Sequence, residues 1–243
     1  MSNTINTGDF IEVIYTGSTN DGVTFDTNVE AIAKEKKIFS AKQKYDPVKI
    51  CVGEHQILEG IDQSLNGKEL GQKFTLNIPA ELGFGKRDVK KVQLVPMTTF
   101  DEHKVKPFKG LQVDFDGQIG VVQRISGGRV MVNFNHPLSG KELVYDVEVL
   151  KKITDTTEQA KAYISHIMPI KPEHLDISVK DKTLVLCLPF DLPDSFREAM
   201  TEKFQKVLSD IEKVEFTKKL VDLSKENPTT LKGEHTHGPN CHH

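Results

Sequence analysis

Tryptophan is absent from the 243 residues, cysteine occurs three times, and aromatic residues make up only 7% of the chain. Cys51, Cys187 and Cys241 are odd in number and far apart, so they supply no disulfide framework, which fits a reducing compartment and points to the cytoplasm. No run of about 18 apolar residues occurs, which excludes an expected membrane helix. Residues 1–9 are polar and lack the charged and apolar regions of a signal peptide. Charge of one sign is not in excess either. The 32 Lys and Arg against 35 Asp and Glu leave a net charge of -3, which removes the global cation of a dedicated nucleic-acid binder. With 37% hydrophobic and 28% charged residues, this is a soluble composition, long enough for two or three small cores.

Within that length the pattern changes several times. Residues 9–15 alternate as a half-buried strand, and Asn20-Asp21-Gly22 supplies a turn before Thr24 and Phe25. Residues 29–45 read as a surface loop with a helical turn or two, and residues 48–52 as a strand. Ile57, Leu58, Ile61 and Leu65 fall at helical spacing before Asn66-Gly67, and a strand follows at 74–78. Three short strands (111–115, 119–125 and 129–134), separated by Asp116-Gly117 and Gly127-Gly128, form a meander. Residues 143–150 then give a long strand that pairs back into the first domain. Sequence order alone describes an insertion or two consecutive domains equally. Asp155 and Glu158 form a capping box for a helix over 158–167, and Ser195 with Glu198 opens a second helix. With strands at 175–179, 184–188 and 214–221, this stretch reads as an independent α-β-β-α-β unit.

Four stretches together resemble the FKBP-type peptidyl-prolyl isomerases. They are Val13-Ile-Tyr-Thr-Gly17 with Gly22-Val-Thr-Phe-Asp26, Gly53-Glu-His-Gln-Ile-Leu-Glu-Gly60, Ile78-Pro-Ala-Glu-Leu-Gly-Phe-Gly85, and Tyr145-Asp-Val-Glu148. The meander and Asn135-His-Pro-Leu-Ser-Gly-Lys141 are similar to the SlyD-like branch, whose flap carries an inserted chaperone domain, and the later unit is similar to that of long archaeal FKBP proteins. The resemblance favours the insertion. It implies an α+β architecture: an FKBP-like antiparallel curved sheet with one short helix, an inserted small β domain and a C-terminal α+β domain. The corresponding bounds are residues 1–86 and 134–154 for the isomerase domain, 87–133 for the insert, 155–223 for the C-terminal domain and 224–243 for a His- and Cys-containing tail.

The resemblance also implies a prolyl pocket at Tyr15, Phe25, Asp26, Ile57, Leu58, Phe84 and Tyr145, with Val48 and Ile61 where many relatives carry large aromatics. An aliphatic floor argues for a wider, shallower pocket. Taken singly, Phe25, Ile57, Leu58 and Phe84 read as core residues; only the combined motif makes them a site. Prolyl isomerisation breaks no covalent bond, so neither a nucleophile nor a cofactor is needed for a barrier of about 18–20 kcal/mol that is amide resonance. Asp26 has two candidate roles, polarising the twisted amide or holding the Tyr15 hydroxyl.

In the insert, Val92, Leu94, Val95, Met97, Phe100, Phe108 and Leu111 form an apolar surface suited to unfolded chains, with Val95, Met97 and Phe108 as the expected substrate contacts. His235, His237, Cys241, His242 and His243 within the tail are ligand types for Ni or Zn. His55 and His136 read as surface or loop residues. The expected function is thus a cytoplasmic prolyl isomerase and folding chaperone acting on X-Pro bonds of unfolded proteins, without nucleic-acid or membrane partners and with homodimerisation through the C-terminal domain. Non-catalytic holdase and metal-binding protein are the alternatives.

Overall fold

The computed structural model describes residues 3–115, 117–168 and 176–218 and divides into two compact units, Met1–Met168 and Pro169–His243. The first begins with β1 (Phe10–Thr19) and β2 (Thr24–Thr27), followed by α1 (Glu30–Glu35), β3 (Val48–Cys51), α2 (Glu59–Leu65) and β4 (Lys73–Ile78). An excursion then contains β5 (Val92–Pro96), α3 (Met97–Glu102), β6 (Gln112–Phe115), β7 (Gln118–Ser126) and β8 (Arg129–Asn133). The chain returns as β9 (Leu143–Lys152) and ends this unit with α4 (Thr156–Ile167).

β9 lies between β1 and β4 and is antiparallel to both. The other edge of β1 is shared: β3 pairs with Phe10 to Val13 and β2 with Thr16 to Ser18. Between them Asn28 substitutes for a strand, its Oδ1 accepting the Tyr15 N–H at 2.7 Å and its Nδ2 donating to the Val13 carbonyl at 3.0 Å. Period-two alternation in β9 buries Leu143, Tyr145, Val147 and Val149 on one face, where α2 lays Ile61 and Leu65 against them. Gly60 permits this approach, because a Cβ there would collide with Ile78.

β4 and β9 pair from Lys73–Glu148 to Ile78–Leu143, so the intervening segment is an insertion into an otherwise continuous sheet. Its two ends are tied together: the Asn135 carboxamide accepts the Asp88 N–H and donates to the Asp88 carbonyl, both at 2.8 Å. The insert has its own four-stranded sheet, in the order β5-β8-β7-β6. Phe100, Val122, Val130 and Val132 form its core, so Phe100, expected on a client-binding surface, is an interior residue. Strand β5 and helix α3 add to the three expected strands.

Asp155 caps α4 as the sequence predicts, its Oδ1 accepting the Glu158 N–H at 2.7 Å. The helix packs elsewhere than expected, however, because it belongs to the first unit and seats on β3. Lys49 Nζ lies 2.6 Å from Glu158 Oε1, the Tyr163 hydroxyl donates to Glu54 Oε2 at 2.8 Å, and the Tyr163 ring meets Phe10 edge-on at 6.5 Å. The boundary expected after residue 154 therefore falls after the helix. A capping box and a 3.6-residue period specify where a helix starts and which face it buries, not its partner.

The second unit comprises β10 (Asp176–Lys180), β11 (Thr183–Leu188), α5 (Asp194–Val207) and β12 (Lys213–Lys218). β10 and β11 form a hairpin whose turn residues Asp181 and Lys182 have φ of 46° and 60°, and β12 joins β11 in parallel. Leu184, Leu186 and Leu188 are buried, as are Met200 and Phe204 of α5. Pro193, not Ser195, takes the cap position of α5, and no side chain caps it. No helix among the described residues is long and apolar enough to cross a membrane.

Tyr163→Ala is expected to cost about 3 kcal/mol through loss of a buried aromatic. Hydrogen exchange on the full chain should then show reduced protection of the β3 amides; unchanged protection would contradict the packing of α4 on that strand.

Candidate active site

A cavity of about 340 Å³ opens on the face of the first sheet that α2 crosses. It is lined by Tyr15, Asp26, Val48, Gln56, Ile57, Leu58, Ile61, Phe84, Tyr145 and His166. They reach it from several elements. Tyr15 and Tyr145 project from paired strands with ring centroids 5.9 Å apart. Ile61, 1% exposed, comes from α2, and Val48 opens β3. Phe25 stands one layer back, edge-on to both Tyr145 (5.8 Å) and Phe84 (6.1 Å). The close approach of these rings needs Gly17, where a Cβ would lie 2.7 Å from the Tyr145 ring and 3.0 Å from that of Phe25.

The loop that carries Ile57 and Leu58 is fixed by Asp62, 2% exposed, whose carboxylate accepts the N–H groups of Gly53 at 2.8 Å and His55 at 3.1 Å. Those bonds hold His55 at a φ of 53°, a left-handed conformation uncommon outside glycine. Gln56 Oε1 accepts the Cys51 N–H at 2.8 Å, fastening the same loop to the end of β3. On the opposite side the His136 imidazole stacks on Phe84, with centroids 4.4 Å apart and planes 8° from parallel. Leu138 N–H donates to His136 Nδ1 at 3.2 Å, and Ser139 Oγ donates to the Phe84 carbonyl at 3.0 Å, so the returning loop of the insert buttresses the cavity wall.

Of the residues the sequence placed in a pocket, Tyr15, Asp26, Ile57, Leu58, Phe84 and Tyr145 line one cavity with Val48 and Ile61, and Phe25 supports it from behind. Val95, Met97 and Phe108 belong to the insert: Val95 and Met97 are half-buried against its core, and Phe108 is 60% exposed. A second cavity of about 340 Å³ there is walled by Phe100, Val105, Leu111, Val113 and Phe115. The tail residues His235, His237, Cys241, His242 and His243 lie outside the described residues. Sequence reasoning missed Gln56, His136 and His166. Gln56 and His136 sit inside quoted motifs and were legible as neighbours of the site, whereas nothing in the sequence linked His166 to it.

The electrostatics are those of an apolar cup with one carboxylate. Burial, and then the charge and hydrogen bonding of Asp26, push the Tyr15 phenol up from 10.0 to about 12. Burial, then Asp26, then Tyr15 raise that of Tyr145. Both phenols are therefore neutral donors at physiological pH, and the Tyr15 hydroxyl spends its proton on Asp26.

Comparison with known proteins places the chain in a family. A family model described as the FKBP26 IF domain matches residues 93–138, which are most of the insert. The chain is 34% identical over 149 residues to a short-type peptidyl-prolyl cis-trans isomerase of Methanocaldococcus jannaschii, covering 61% of this chain and 94% of that protein. It is 32% identical over 156 residues to the FKBP-type isomerase SlyD of Haemophilus influenzae, covering 61% of this chain and 73% of the relative. A probable FKBP-type 16 kDa isomerase of Pseudomonas fluorescens is 35% identical over 109 residues, 43% of this chain and 71% of its own length. The chain belongs to the FKBP-type peptidyl-prolyl cis-trans isomerases.

A folded-state phenol above its unfolded value contributes stability that is complete below the unfolded value and is lost as pH rises through the folded one. For Tyr15 that window runs from pH 10.0 to about 12. Asp26→Asn should narrow it from the top, because burial remains while the carboxylate's contribution goes. Phenolate absorbance and urea midpoints across that range check this; an unchanged titration would remove Asp26 as a partner of Tyr15.

Proposed function

We propose that the cavity between α2 and the curved sheet performs X-Pro isomerisation on unfolded protein chains held by the insert. The observation that carries this reading is the convergence of Tyr15, Phe84 and Tyr145 over Ile61, with Asp26 as the single carboxylate of the lining. A planar amide is more dipolar than a twisted one, so an apolar aromatic cup disfavours the ground state relative to the transition state. The proline ring enters over Ile61, and the Leu58 main-chain N–H donates to the substrate carbonyl beside it. Hydrogen bonding of the Tyr15 hydroxyl to Asp26 favours the holding role of that carboxylate over direct polarisation of the amide. No bond is broken, and catalysis proceeds without a cofactor.

The insert is the chaperone part of this reading. Leu94, Phe108 and Ile119 are exposed on a unit too small to hide them, which suits promiscuous apolar contact. Clients bound there raise the concentration of proline bonds at the cavity. Cytoplasmic location follows from the cysteine usage. Ni or Zn binding by the tail follows from its ligand types, and homodimerisation through the second unit from exposed Phe190 and Phe196, which frame a region without site chemistry.

Asp26→Ala should lower kcat/KM for a proline tetrapeptide by roughly tenfold to a hundredfold, the worth of one charged hydrogen bond. A rate unchanged by Asp26→Ala and by Phe84→Ala would leave the holdase reading in possession. Joining Asp88 to Asn135 through a short glycine turn removes the insert at the point where its ends already touch. Tetrapeptide turnover should persist, while acceleration of proline-limited refolding falls by a factor on the order of a hundred as the effective client concentration is lost. Refolding assistance that survives the deletion would overturn the chaperone assignment.

A further inference from the structure

The cavity contains one titratable group for which the isomerase reading has no task, the imidazole of His166 on the last turn of α4. Its position is set by the packing of α4 on β3, and its Nε2 lies 2.8 Å from the Lys49 carbonyl oxygen. A carbonyl only accepts, so Nε2 carries the proton of the neutral ring and Nδ1 takes up the second. The C-terminal end of a helix favours a cation at that place. The charged and titratable groups around it leave the charge available to a ligand. Lys49 on β3 is paired with Glu158 at 2.6 Å, and Lys161 and Lys151 also act on Glu158. Glu54, after β3, accepts from the Tyr163 hydroxyl, Asp26 accepts from Tyr15, and the Tyr15 and Tyr145 phenols are neutral.

We propose that His166 is a specificity-determining residue of the isomerase: its imidazolium form gives the β3 side of the cavity a positive edge that selects X-Pro bonds flanked by an acidic side chain. The proline ring needs the apolar cup, so flanking side chains must lie along its margin, and on the β3 side the lining holds Val48 with two polar groups, Gln56 and the exposed His166. With the imidazole neutral, the margin offers no charge and the preference disappears. Selection of acidic-flanked prolines therefore follows the protonated form of the ring and strengthens as pH falls. This deepens the isomerase reading of the cavity and rests on it.

The test uses the full chain and two pairs of peptides, with Glu or Gln immediately before the proline in one pair and immediately after it in the other. Exchange NMR measures kcat/KM without a coupling protease, and the Glu side chain, with a pKa of about 4.3, stays ionised throughout. In the wild-type chain the Glu-to-Gln ratio should rise roughly two- to fivefold between about pH 8 and 5.5 in at least one pair, the worth of a partly exposed ion pair, and should shrink in high salt. His166→Gln should flatten that profile, and His166→Lys should hold the ratio high at every pH. A flat wild-type ratio in both pairs, or a pH dependence that survives in His166→Gln, would overturn the assignment. Turnover of the Gln peptides separates the two failures: if neither is isomerised, the reading of the cavity fails, whereas turnover with a flat ratio sinks only the role of His166.

Discussion

The ladder between β1 and β9 is the interaction on which the rest of the first unit depends. It runs from Ile11 opposite Lys152 to Thr19 opposite Leu143, joining the amino-terminal strand to the strand that follows the insert. The cavity is built across it: Tyr15 faces Val147, Gly17 faces Tyr145, and the remaining lining groups come from the strands, loops and helices packed around these two. A slip of one residue would turn every side chain of β9 to the opposite face and place Tyr145 outside. The cost of closing such a ladder over a long excursion rises only by about 0.6 kcal/mol for each doubling of the loop. An insert with its own core, which folds locally, therefore interrupts the sheet at little expense.

The cavity's chemistry follows from having almost no polarity to spare. Its walls are mostly aromatic rings and aliphatic side chains, with Gln56 and His166 as the other polar side chains, and the Asp26 carboxylate is engaged by the Tyr15 hydroxyl. Burial raises both phenols for the same reason that it disfavours a dipolar amide: the charged or charge-separated form is the one that loses most on leaving water. Ile61 supplies an aliphatic floor, and the Phe25 ring meets both Tyr145 and Phe84 edge-on. Gly17 completes the arrangement by removing the one Cβ that would hold those rings apart.

Much of this was legible from sequence because it resides in local patterns. Alternation located β1, β4 and β9; Asp181-Lys182 located a hairpin; and Asp155 with Glu158 located the start of α4. The pocket residues were legible only as a family motif, since Phe25, Ile57 or Phe84 alone could not be distinguished from core. What sequence could not supply was the partner of each buried face. α4 was assigned to the wrong unit for that reason, and His166 was lost with it. Phe100 was read as surface because an apolar residue among lysines does not declare whether it faces inward. Strand β5 was missed because Val92–Pro96 has only two half-buried positions and owes its conformation to pairing with β8.

The insert and the cavity also share a mechanical connection. The Asn135 carboxamide clamps Asp88, the Gly140 N–H donates to the Gly85 carbonyl at 2.8 Å, and between these bonds His136 lies flat on Phe84. A floppy tether would spread a bound client over a large volume, and its effective concentration at the cavity would fall steeply with tether length. Two chain crossings bonded to each other beside the cavity wall restrict that volume. The same bonds hold Phe84 in place whether or not a client is present. Attachment of the insert and rigidity of the wall thus have a common origin in the six residues Phe84, Gly85, Asp88, Asn135, His136 and Gly140. This explains why a loop that looks like a mere return from the insert carries so many hydrogen bonds to the segment it faces.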